Sequence, residues 1–243
     1  MKKIFTLIAV AMMTVGGAMA QNKTYILDFN KMYDEASTQK GQLTGATQSG
    51  GSKYLLNDVD YVQDIFTVKS VSDRTYRIDL YNPDKPEETY NYGDYTAKTR
   101  LEPNGASNKT GGRQMFVDVT NKGVLSIGSW GNAARILYVL PAKDKTSYIN
   151  PANATPLLKE TFTNTSEKTK VYEVSLEPGL YCITQDAGIY YGYVKFVEGA
   201  TLGISDITVA DNANAPAYNL AGQRVNANAK GLVIKNGKKY MNK

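Results

Sequence analysis

The stretch that decides the fold is residues 171–196, VYEVSLEPGLYCITQDAGIYYGYVKF. Val171, Glu173 and Ser175 alternate with Tyr172, Val174 and Leu176, the two-residue period of a strand whose faces meet different surroundings. Glu177-Pro178-Gly179 interrupts the run. Proline's fixed φ suits the second position of a turn, and glycine tolerates the positive φ that can follow. Residues 180–184 return, 186–188 turn again, and 189–196 close what reads as an antiparallel meander. No segment of the chain sustains a helical period. Short strands at near-regular spacing, bounded by Gly and Pro turns, predict an all-β chain folded as an antiparallel β-sandwich.

Working outward, strands are predicted at residues 24–29, 58–68, 74–81, 114–119, 123–127, 135–140 and 157–162. Residues 31–36 read as a short helical turn, and 71–73 as the turn of a hairpin joining its two flanking strands. Loops occupy 39–53, 82–112 and 143–156. The second is the longest, and a loop of that length in a compact domain is functional or disordered; the aromatics at its centre favour order.

The ends differ from the body. Lys2 and Lys3 precede an apolar run at 4–15, and Ala18-Met19-Ala20 supplies a small-x-small site before Gln21, so residues 1–20 read as a signal peptide. The run is too short for a membrane span, which needs roughly 20 apolar residues, and no later segment is apolar enough for one. A β-sandwich domain over 21–197 follows, then a linker over 198–216 containing ADNANA, then a small β appendage over 217–243. Of the 28 Lys and Arg, two lie in the leader and six in the appendage, leaving 20 against all 23 acids, so the body carries a net charge of −3. The basic character belongs to the termini, and no nucleic-acid partner is expected. The single cysteine, Cys182, forms no intrachain disulfide and reads as a small buried side chain.

The chain has no histidine. Ser–His and Cys–His nucleophile pairs and His-containing zinc sites are therefore excluded. Paired carboxylates, which suffice for glycoside hydrolysis, are not excluded, but no acid pair stands in a recognisable motif. There are 18 Tyr against 6 Phe and 1 Trp, a skew toward rings with a polar handle. A sugar packs its C–H face on such a ring while Asn and Asp take its hydroxyls. Tyr90, Tyr92 and Tyr95, interleaved with Asp94, are therefore candidate ligand-binding residues in the long loop; Trp130, in a Gly-flanked turn, and Tyr191, on the last body strand, are further candidates. Tyrosine is equally a good strand residue that packs half-buried. Asp58, Asp60 and Asp64 alternate on one predicted strand and are candidate oxygen ligands for a structural Ca²⁺. No other cofactor is expected.

Two resemblances add to this. The tail resembles the C-terminal type IX secretion sorting domains of exported Bacteroidetes proteins. It does so through Tyr218-Asn219-Leu220-Ala221-Gly222-Gln223-Arg224-Val225, Lys230-Gly231-Leu232-Val233, Asn236-Gly237-Lys238-Lys239 and the final Lys243. Val233 stands where that family carries Tyr, and ADNANA replaces its preceding strands, so the match is to a truncated form. The resemblance implies an export machinery that reads Tyr218, Gly222, Arg224, Gly231, Gly237, Lys238 and Lys239, with passage through the periplasm to the cell surface or beyond. The body, through residues 171–176, Glu177-Pro178-Gly179-Leu180-Tyr181 and 189–196, resembles the jelly-roll carbohydrate-binding-like domains appended to polysaccharide-degrading enzymes, which implies a jelly-roll-like sandwich.

The expectation is thus a secreted, non-enzymatic β-sandwich that binds polysaccharide or glycan at or outside the cell surface. The alternatives are a structural or adhesive surface protein without a small-ligand site, and a carboxylate-dependent glycoside-active enzyme.

Overall fold

The computed structural model describes residues 22–70, 75–103, 113–131, 134–162, 168–202, 217–219, 224–226, 231–235 and 238–242. The leader expected at 1–20 lies outside them. The chain divides into a first unit ending at Ala200 and a second from Thr201 to Lys243.

In chain order the first unit comprises β1 (Thr24–Ile26), α1 (Phe29–Thr38), β2 (Thr47–Gln48), β3 (Tyr54–Leu56), β4 (Val59–Gln63), β5 (Phe66–Ser70) and β6 (Tyr76–Leu80). Next come β7 (Tyr90–Asn91), β8 (Thr96–Ala97), β9 (Thr99–Pro103), β10 (Gln114–Val119), β11 (Gly123–Trp130) and β12 (Arg135–Pro141). The last are a 3₁₀ turn (Pro151–Asn153), β13 (Leu158–Phe162), β14 (Val171–Leu176), β15 (Gly179–Gln185) and β16 (Tyr190–Glu198). The larger sheet runs β14-β11-β16-β9-β6-β3-β2, with β1 also paired to β16; the smaller runs β13-β12-β15-β10-β5-β4. Every pairing is antiparallel.

From β9 to β16 the chain crosses between the sheets at every step except β12 to β13. This places β9, β16, β11 and β14 side by side in one sheet and β10, β15, β12 and β13 in the other. The result is the double Greek key of a jelly roll, with β2, β3 and β6 extending one sheet and β4 and β5 the other. The expected meander is corrected here. β14, β15 and β16 do not pair with one another, because Glu177-Pro178 carries the chain across the sandwich instead of folding it back in plane. The Tyr181 hydroxyl donates to the Glu177 carbonyl at 2.8 Å and holds that crossing, in the manner of a tyrosine corner. The predicted hairpin around 71–73 is corrected likewise: β5 pairs with β4 and β10, while β6 pairs with β3 and β9.

The facing sides of the sheets supply the core. Leu125, Ile127, Val174, Leu176, Val194 and Phe196 come from the larger sheet; Met115, Val117, Leu137, Val139 and Ile183 come from the smaller. Full burial of each such side chain contributes about 1.5–3 kcal/mol. The predicted strand over 58–68 is two strands, separated by a turn in which Asp64 takes a left-handed φ of 52°.

The predicted helical turn is a ten-residue helix. Asp28 caps it, its carboxylate accepting from the N–H groups of Asn30 (3.0 Å) and Lys31 (3.1 Å). Phe29, Met32 and Ala36 recur at helical spacing and are buried in the main core. Gln39 ends the helix at a left-handed φ of 51°.

The second unit is a four-stranded sheet, β18 (Arg224–Val225), β17 (Ala217–Tyr218), β19 (Gly231–Lys235) and β20 (Lys238–Asn242), in that spatial order. In it β17 and β18 pair with each other, Ala217 facing Val225 and Tyr218 facing Arg224. Lys235 pairs with Lys238 across the connection at 236–237.

Candidate functional site

The long loop folds back as a small hairpin, β7 paired with β8. Its aromatics form a second buried cluster of Tyr81, Tyr92, Tyr95, Trp130 and Tyr193, with Tyr90 and Tyr190 packed against it. A shift of register sets this up. Gly128 faces Tyr193 but Ser129 faces Tyr191, which makes Gly192 the extra residue of a β-bulge. Tyr190 and Tyr193 thereby share the side of the hairpin cluster, while Tyr191 packs into the main core.

Four rings stack in a column: Tyr90 on Tyr81 (3.7 Å between centroids), Tyr81 on Trp130 (4.6 Å), and Trp130 on Tyr190 (5.3 Å). A cation closes each end, the Lys168 ammonium over Tyr90 at 5.4 Å and the Arg100 guanidinium over Tyr190 at 4.5 Å. Beside the column, Tyr92 lies parallel to Tyr193 at 5.1 Å. The Tyr81 and Tyr92 hydroxyls are 3.1 Å apart and reach the Lys168 carbonyl at 3.0 and 2.7 Å. Burial pushes the Tyr92 phenol up to about 12. Tyr95 donates to the helix cap Asp28 at 3.1 Å, and Asp94 accepts from Tyr193 (2.9 Å) and Lys195 (2.8 Å).

Of the candidate ligand residues, the structure therefore brings Tyr90, Tyr92, Asp94, Tyr95 and Trp130 together, but as packing. The faces of the column are occupied by other rings and by cations. Trp130 ends β11 and is 3% exposed; Tyr191 is wholly buried, with its hydroxyl donating to Gln185 at 2.5 Å. Among the described residues these rings pack on one another and under cations.

The aspartates also separate. Asp58 lies in the turn before β4 and Asp64 in the turn after it, on the order of 20 Å apart at strand rise. Asp60 pairs with Lys69 at 2.9 Å. Among the described residues no group of three or more His, Cys, Asp or Glu is placed to hold a metal ion. Of the tail residues, Tyr218 is on β17, Arg224 on β18, Gly231 on β19, and Lys238 and Lys239 on β20. Gly222 and Gly237 lie outside the described residues.

A cavity of about 340 Å³ opens elsewhere, in the loop joining β12 to β13, which the sequence marked only as a loop. Its volume falls at the lower end of the range for small-ligand sites. Lys143, Asp144, Ser147, Tyr148, Asn150 and Asn153 line it. The loop is built, not slack. The buried Gln114 amide donates to the Ile149 carbonyl at 2.9 Å and accepts from the Ile149 N–H at 3.2 Å, fixing the loop to β10. The Asp144 carboxylate accepts from the Thr146 hydroxyl (2.7 Å) and N–H (2.8 Å) and from the Ser147 N–H (2.6 Å) and hydroxyl (3.2 Å). Those bonds, the Thr146 hydroxyl first, hold its pKa down to about 2. Lys145 reaches back to Thr67 (3.3 Å) and Asp118 (3.7 Å). Asn150 caps the 3₁₀ turn by accepting from the Ala152 N–H at 3.0 Å.

The result is one half-buried tyrosine ring in a wall of amides and hydroxyls. The same combination, Tyr beside Asn, marks residues 90–95 in the sequence, and Tyr148-Ile149-Asn150 repeats it. That pairing is the one sequence feature that could have drawn attention to this loop.

No protein-family model and no curated protein matches the chain. A solved structure from work on how the Ruminococcus flavefaciens cellulosome reflects an expansion in glycan recognition is similar in part. Its TM-score is 0.33 and its identity 14%, over 56% of this chain and 84% of that one. A likeness of that degree carries no argument about activity.

Proposed function

We propose that the protein is a non-enzymatic glycan-binding β-sandwich that works at or outside the cell surface. The cleft in the loop joining β12 to β13 is its binding site. The observation that carries this is the cleft's chemistry: Tyr148 offers a ring to a sugar's C–H face, and Asn150 and Asn153 stand beside it with side-chain amides for hydroxyls. Hydrolysis requires two carboxylates flanking the scissile bond. The cleft is lined by a single acid, Asp144, and four hydrogen bonds within the loop already engage it. The N-terminal leader and the basic tail support export, with the tail as the element that an export machinery reads.

Assembly through an open sheet edge is the rival reading. At β4 one residue of the edge is covered: the Gln42 amide donates to the Val62 carbonyl at 2.8 Å and accepts from its N–H at 2.9 Å. A glycan array probed with the mature chain tests the proposal. Selective signal that Tyr148→Ala abolishes is expected; a blank array, or one unchanged by the substitution, contradicts it.

A further inference from the structure

We infer that the cleft takes an acidic saccharide, one bearing a uronate carboxylate, and this rests on the glycan-binding reading above. The loop's own hydrogen bonds decide which groups are left for a ligand. The Asp144 carboxylate and the Asn150 amide oxygen are already engaged. Asp144 Oδ1 receives three donors and Oδ2 a fourth. Asn150 Oδ1 receives the Ala152 N–H, which fixes the orientation of that amide and leaves its NH₂ group as the outward function.

The donors are not spent. Among the described residues neither the Lys143 ammonium nor the Asn153 amide has a hydrogen-bond partner. Lys143 brings three donors, the Asn150 NH₂ two and the Asn153 NH₂ two, and these outnumber the acceptor groups left on the lining side chains, which are the Asn153 amide oxygen, Asp144 Oδ2 and the hydroxyls of Ser147 and Tyr148. A neutral sugar hydroxyl offers a donor with every acceptor and would leave this set poorly matched. A carboxylate offers acceptors only, and a cationic donor makes the stronger, charge-assisted bond to it.

Lys143 is the one cation lining the cleft and Asp144 the one anion, so what separates them is engagement and not net charge: the ammonium has no partner among the described residues, and the loop's other lysine, Lys145, is turned away to Asp118. The lining carboxylate of Asp144 already faces Thr146 and Ser147 donors. A uronate on the Tyr148 ring would set its carboxylate toward Lys143 and the asparagine amides.

The test is calorimetric titration of the mature full-length chain with a galacturonic acid trisaccharide and with its carboxyl-reduced, neutral counterpart. The acidic trisaccharide is expected to bind at least about tenfold more tightly, the scale of one hydrogen bond to a charged group. Lys143→Gln is expected to remove most of that preference. Lys143 is exposed, so the substitution leaves the fold intact. Equal affinity for the two sugars, or binding of the neutral one only, overturns the inference while the glycan-binding reading stands. Acid-selective binding that survives both Lys143→Gln and Tyr148→Ala belongs to the basic tail and also overturns it. A chain that binds neither trisaccharide, and no glycan on the array, overturns both readings.

Discussion

Gly192 lies directly beneath Tyr92: a Cβ at that position would collide with the tyrosine hydroxyl. Gly128 stands beside it, and a Cβ there would sit 2.5 Å from Tyr92 Cε1. Two glycines on neighbouring strands thus make the trough in which the hairpin's central ring rests. Gly192→Ala and Gly128→Ala should each cost about 1–3 kcal/mol, the usual penalty for overfilling a packed site. Urea unfolding measures this. In a double-mutant cycle, Tyr92→Ala should absorb much of the cost of Gly192→Ala, because the atom collided with is gone. Additive losses would show that the trough is not made for Tyr92.

The tyrosine cluster sets an alkaline limit on stability. Burial raises the Tyr92 phenol to about 12, and a hydrogen bond to Glu88, with burial, raises Tyr90 to about 12. In the unfolded chain a tyrosine loses its proton near pH 10. Between about 10 and 12 the unfolded chain therefore binds fewer protons than the folded one, and stability falls as pH rises. The contribution is complete below pH 10 and gone above about 12. Tyrosinate absorbance and the loss of the near-ultraviolet circular dichroism signal should rise together in that window. Ionisation of these rings in a chain that stays folded would contradict the packing described.

The loop's anchor is a single amide. Gln114→Ala leaves the Ile149 N–H and carbonyl without their partners. The expected loss is on the order of 1–3 kcal/mol. Hydrogen exchange at Ile149 should quicken, while exchange in β10 and β15 changes little. Unchanged protection at Ile149 would show that the loop is held by something else.

A second amide guards the edge of the smaller sheet. Gln42→Ala should expose the Val62 N–H and carbonyl for pairing with another chain. Sedimentation velocity is expected to show concentration-dependent association of the variant under conditions where the parent chain is monodisperse.

Much of the sandwich was legible in the sequence. Residues 171–176 alternate by the strand period and are strand β14, and the apolar β-formers of 114–119 are strand β10. Which sheet a strand joins is not a local property, so the β14, β15, β16 run looked like a meander although its members alternate between layers. The helix was missed in part because Phe29 completes an apolar run that reads as strand. Asp28 as cap, with Phe29, Met32 and Ala36 at helical spacing, was the contrary signal. Tyrosine beside asparagine is the pairing that singles out residues 90–95, and the proposed site repeats it at 148–150, but a sequence does not show that Tyr90 stacks on Tyr81 under a lysine while Tyr148 borders an open cleft. Nor does it show that Gln42 and Gln114 each satisfy one residue's backbone, since glutamine has no positional signature for that use.

On the proposed reading, glycan binds at Tyr148 and not at the aromatic column. The most direct measurement compares, by calorimetry, Tyr148→Ala with Tyr90→Ala against the best glycan found on the array. The account predicts that Tyr148→Ala removes binding and that Tyr90→Ala, at the cation-covered end of the column, retains it. Binding lost with Tyr90→Ala and kept with Tyr148→Ala would contradict the account and return the site to the hairpin.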